Sequence, residues 1–200
     1  GCGGPYHARA MGNPLRARRT AAEWAAVSQV IEIADKVGNL PELSAVIASD
    51  LAALDADKVP TGWRDAQVTG RLAFGFADAQ QQLPSVACRL EATVDLVCQR
   101  CLEALRQPLA AEADLLLLDF DEEPHGYDEY EVWELEEPLL RPQDIVDELL
   151  VMALPFAAAH AESASCRALT DDGQQDAGED TTTPFAALRE QMARDNEGSG

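Results

Sequence analysis

No apolar run in the 200 residues is long enough to cross a bilayer, and no hydrophobic signal-peptide core stands near the start. We therefore expect a cytoplasmic protein without membrane contact. Basic residues are scarce, 15 Lys and Arg against 36 Asp and Glu, for a net charge of -21. The shortage is regional: residues 1–111 hold 11 basic and 12 acidic side chains, residues 112–200 only 4 and 24. Phosphate backbones are held by Lys and Arg that release counterions, so the second part is excluded as a general nucleic-acid surface. Also lacking are a glycine loop for phosphates, a nucleophile beside its base and a two-histidine metal helix. The many carboxylates of residues 119–137 form a solvated run, not a desolvated pocket, so we expect no enzyme. Residues 1–10 precede Met11 and read as an artefactual leader.

What is present is organised around Cys88-Arg-Leu-Glu-Ala-Thr-Val-Asp-Leu-Val-Cys98-Gln-Arg-Cys101-Leu102. From Cys88 to Cys98 the even positions are apolar or thiol and most odd ones are polar, the period of a half-buried strand, so Cys98 points inward. A second alternating run from Leu105 to Leu118 makes the hairpin partner, with Gln99 and Arg100 near the turn. Upstream, Val68 to Phe76 alternates as a third strand, and Gln29 to Ala34 reads as a short one. Pro41 opens a helix with Leu43, Val46, Ile47 and Leu51 on one side and Asp50 outward. Pro142 opens another, with Ile145, Leu149 and Met152 inward, Asp144, Asp147 and Glu148 outward, and Pro155 as its stop. Tyr130 and Val132 suit an acidic edge strand. The fold class is α+β: an antiparallel sheet or partly closed β-barrel of three to five strands with covering helices and an acidic C-terminal tail. The expected boundaries are a leader and disordered basic arm at 1–19, one domain at 20–160, and a flexible acidic tail with a short terminal helix at 161–200.

Five cysteines without a secretory context point to reduced thiols, a metal site or redox chemistry, not a disulfide framework. Cys98 and Cys101 at a hairpin turn, joined by His160 and Cys166, are a candidate Cys3His zinc set, because thiolates and imidazole suit tetrahedral zinc. Reduced thiols with no cofactor are the alternative. Redox catalysis would need the motif at a helix N-terminus, and a strand follows it instead. Arg71 and Arg89 share the outward parity of neighbouring strands, and Arg100 is at the turn, so these three are the candidate RNA-binding residues; a mixed-charge solvated face is the plainer reading. Glu129, Glu131 and Glu134 are candidates for holding a basic protein partner, against a purely solubilising loop.

The order of Val97-Cys98-Gln99-Arg100-Cys101-Leu102, a following strand, an acidic stretch, Asp147-Glu148-Leu149-Leu150-Val151-Met152-Ala153-Leu154-Pro155, His160, Cys166 and Pro184-Phe185-Ala186-Ala187-Leu188 resembles the YceD family. Its members are called large ribosomal RNA subunit accumulation proteins. The resemblance runs over roughly residues 40 to 192 and implies a non-enzymatic factor for synthesis, processing or stability of 23S rRNA, and so for large-subunit biogenesis. The implied partner is 23S rRNA or its precursor, met directly or through a basic ribosomal protein or processing enzyme. The alternative is an acidic, zinc-stapled protein-binding adaptor with no direct ribosomal role.

Overall fold

The computed structural model describes residues 12–119, 122, 124–161 and 166. Five strands lie in one open sheet in sequence order: β1 (Val30–Lys36), β2 (Gln67–Phe76), β3 (Pro84–Val97), β4 (Ala104–Asp119) and β5 (Glu131–Leu135). β1 to β4 form an antiparallel meander, of which the sequence predicts the part from β2 to β4 through its short connections. β5 departs from it, running parallel to β4 with Leu115 opposite Glu131 and Asp119 opposite Leu135. The sheet is therefore mixed and open, neither wholly antiparallel nor a barrel. Alternation fixes which face a side chain takes and is silent on strand direction; the connection between Asp119 and Glu131 is long enough to carry the chain back along β4.

Gly70 is required where β2 pairs with β3, opposite Leu90. Its φ is +155°, and a Cβ there would stand 2.2 Å from the Arg89 carbonyl oxygen, so only the bare backbone fits.

Three helices complete the fold: α1 (Ala21–Ala26), α2 (Pro41–Leu51) and α3 (Pro142–Met152). α1 is short and depends on its capping box, in which the Glu23 N–H donates to Thr20 Oγ1 at 3.2 Å and the Thr20 N–H to Glu23 Oε2 at 2.8 Å. Its Trp24 is buried, stacks on Phe74 of β2 with ring centroids 5.4 Å apart, and donates its indole N–H to the Leu140 carbonyl at 3.2 Å. The basic stretch before it, expected to be disordered, is held: Leu15 is buried, and Arg19 and Leu140 exchange two backbone hydrogen bonds, at 3.2 and 2.7 Å.

α2 starts on Pro41 with no capping side chain of its own. The carboxylate of Asp147 on α3 takes that role, accepting from the Glu42 N–H at 2.9 Å and the Leu43 N–H at 2.8 Å. Asp147 is thus buried, not outward, because it satisfies amides that the proline-initiated turn leaves without partners. Gln143 reinforces the junction by donating to the Asn39 carbonyl. Asp50, also read as outward, accepts the Val97 N–H at 2.7 Å and so ties the far end of α2 to the end of β3.

Candidate metal centre

β3 and β4 pair as far as Val97 and Ala104, so residues 98–103 make the hairpin connection. Within it the Cys98 N–H donates to the Glu103 carbonyl at 2.8 Å and the Leu102 N–H to the Cys98 carbonyl at 2.9 Å. Leu102 takes a left-handed conformation, φ +57°, and is exposed. That turn folds Cys101 back beside Cys98. The segment after α3 is fastened alongside, because the Gln99 N–H donates to the Ala158 carbonyl at 2.8 Å, and His160 follows two residues later.

This arrangement gathers the sequence-predicted ligands. The Cys101 sulfur lies 3.4 Å from His160 Nδ1, and the donor atoms of Cys98, Cys101, His160 and Cys166 all lie within 4.8 Å of one another. A tetrahedron with Zn–S of roughly 2.3 Å and Zn–N of roughly 2.0 Å has edges of about 3.5–3.8 Å, so a donor set gathered within 4.8 Å is compatible with such an ion. Cys98 and Cys166 are buried and the other two half-buried. Burial by itself would raise the Cys98 thiol, but backbone N–H groups of Cys101, His160 and Arg100, with the Cys101 side chain, hold the Cys98 sulfur as thiolate and lower it to about 5. Cys88, deep in β3, goes the other way: burial, with the Asp114 charge, pushes it up to about 12, so it is a core thiol.

The candidate RNA-binding arginines are placed differently from one another. Arg71 and Arg89 face each other across β2 and β3 in a row that continues to Glu32 on one side and Glu112 on the other. Arg71 pairs with Glu32 at 3.5 Å and Arg89 with Glu112 at 2.8 Å, so the row is neutral as a whole. Arg100 is exposed on the hairpin and has no ion pair among the described residues. Glu129 stands in the turn before β5, and Glu131 and Glu134 stand on it, all exposed. These carboxylates are not drawn into the thiol cluster.

Sequence reasoning missed Asp50, whose bond to Val97 fixes the base of the hairpin, and Leu102, whose left-handed turn closes it. The first had no signal, since a single Asp on a helix reads as solvated. The second could have been suspected from the two residues, Gln99 and Arg100, that separate Cys98 from Cys101 at a tight turn.

No helix among the described residues is long and apolar enough to cross a membrane. No curated protein and no solved structure matches the chain. The family model described as large ribosomal RNA subunit accumulation protein YceD does match, over residues 86–190, from β3 through β4, β5 and α3 and across all four donor residues. With more than half of its length within that match, the chain belongs to the YceD family.

Proposed function

We propose that this protein is a non-enzymatic factor that supports synthesis, processing or stability of 23S rRNA and thereby large-subunit biogenesis. Family membership across residues 86–190 carries the reading. The thiol–imidazole cluster supports a non-catalytic role in it. Four protein donors fill a tetrahedral zinc, leaving no position for substrate, which is the pattern of a structural site. In this reading Cys98, Cys101, His160 and Cys166 hold zinc, and the ion fixes the hairpin to the segment after α3. Contact with 23S rRNA or its precursor is made directly, with Arg100, exposed and without an ion pair among the described residues, as the candidate arginine, or through a basic protein.

The test is the ratio of 23S to 16S rRNA in cells depleted of the protein, with precursor ends mapped in the same samples. A selective fall in 23S is expected. An unchanged ratio, in cells without a redundant homologue, would overturn the reading. The acidic adaptor without a ribosomal role would then lead, favoured by the exposed carboxylates along β5, and it calls for co-purification of one protein without rRNA.

A further inference from the structure

β5 ends the sheet, and among the described residues no strand pairs with its outer edge. An unpaired edge offers a row of N–H and C=O groups to any extended segment. Such edges are commonly blunted by charged side chains or proline; β5 reads Glu-Val-Trp-Glu-Leu, without proline or lysine, so its two glutamates guard the edge against acidic segments and leave it open to basic ones. The same strand lines a cleft of about 570 Å³ that reaches to the first turns of α3. Val132 and Leu139 in its wall are large apolar side chains left 51% and 48% exposed, and Trp133 beside them is half-buried.

The charge of the cleft is of one sign once its internal pairs are removed. Arg18 takes Glu137 at 3.6 Å and Arg141 takes Asp144 at 2.6 Å. Glu134, Glu136 and Glu148 line it without an ion pair among the described residues. Partial burial, and secondarily the nearby Glu136 charge, push the Glu148 carboxyl above its usual range. The chain itself shows what this face accepts. At one end of the cleft its own Arg18–Arg19 stretch is seated, Arg19 joined to Leu140 by two backbone bonds and Arg18 lying on Glu137.

We propose that the edge of β5 and the adjoining cleft dock an extended, Lys/Arg-rich segment of a partner protein that interleaves its basic residues with apolar ones. Backbone pairing to β5 supplies the register, Val132, Trp133 and Leu139 receive an apolar side chain, and Glu134, Glu136 and Glu148 select for positive charge. RNA is disfavoured on this surface because its phosphates would meet the same carboxylates. The proposal does not depend on a role in rRNA accumulation.

The experiment is fluorescence anisotropy of a labelled peptide of alternating Lys and Val titrated with the full chain, alongside the same peptide with Glu in place of Lys. Saturable binding of the Lys peptide alone is expected, weakening with added salt and falling about tenfold in the triple variant Glu134→Gln, Glu136→Gln, Glu148→Gln. A control variant, Asp57→Asn, Glu91→Gln, Asp95→Asn, removes as much charge elsewhere and should bind like the parent. Unchanged melting of both variants shows that the fold is kept. Equal loss in the control, equal binding of the Glu peptide, or no binding by the full chain would each overturn the proposal. So would displacement of the peptide by single-stranded RNA, or a dimer in sedimentation that the triple variant abolishes, since the occupant would then be RNA or a second copy.

Discussion

Asp147 of α3 and Leu43 of α2, more than a hundred residues apart in sequence, are joined by a 2.8 Å hydrogen bond from the Leu43 amide to a buried carboxylate oxygen. With the companion bond from Glu42, this makes α3 the N-terminal cap of α2. Asp147→Ala should therefore cost about 2–3 kcal/mol, the worth of a cap reinforced by a charge-assisted bond. Asp147→Asn, which keeps one acceptor, should cost less. Urea denaturation midpoints check both, and a change below about 0.5 kcal/mol for the alanine variant would mean that α2 finds its cap elsewhere.

Protein purified without chelator should carry one zinc per chain, measured by elemental analysis. Cys101→Ser and His160→Ala should each lower the occupancy, since each removes one of the four donors. Stripping the metal should lower the melting temperature reversibly, with recovery on adding zinc back. Protein free of zinc after such a preparation would remove the structural role assigned to it.

The pH response of the metal-free protein follows from Cys98. Its folded value is lowered to about 5 despite burial, because turn amides favour the thiolate, whereas an unfolded thiol titrates near pH ~8.5. Between these values the unfolded chain binds more protons than the folded one, so stability rises with pH. The contribution is complete above about pH 8.5 and is lost as pH falls through about 5. Comparing metal-free parent and Cys98→Ser by denaturation across this window should show an advantage for the parent that shrinks toward acid. A pH-independent difference would contradict the lowered value.

Arg100 and the Arg71–Arg89 row make different predictions for any direct RNA contact. Arg71 and Arg89 already face Glu32 and Glu112, so freeing them for phosphate means breaking existing pairs. Arg100→Ala should weaken binding of a 23S fragment and reduce the salt slope by about one, while Arg71→Ala or Arg89→Ala changes little. Filter binding at several salt concentrations checks this, and equal effects at all three positions would show that the exposed pairs open for RNA.

Much of this was legible because it depends on residue type and period. Leu90, Val94 and Leu96 mark the inner face of β3, Pro41 and Pro142 mark helix starts, and the cysteine pair falls where alternation ends. What could not be read depends on partners supplied from far along the chain. A lone Asp on a helix looks solvated until its distant partner is known: Asp147 caps the start of α2, and Asp50 accepts the amide at the end of β3. The row from Glu32 to Glu112 emerges only with the strand register, and six-residue α1 is too brief for a periodic signal beyond Thr20 and Glu23. The expected terminal helix around Phe185 and Leu188 lies outside the described residues.

The bonds Asp50–Val97, Asp147–Leu43 and Gln99–Ala158 link the hairpin to α2, α2 to α3, and the segment after α3 back to the hairpin. They form a closed circuit of hydrogen bonds between protein groups. Cys101 and His160 are 59 positions apart in sequence, yet an arriving ion need not draw that loop shut, because the fold has already met its closure entropy. The protein should thus differ from a zinc finger, which collapses when its ion leaves. It should lose and regain the ion as a folded body, with the ion acting as a latch on a door that is already closed.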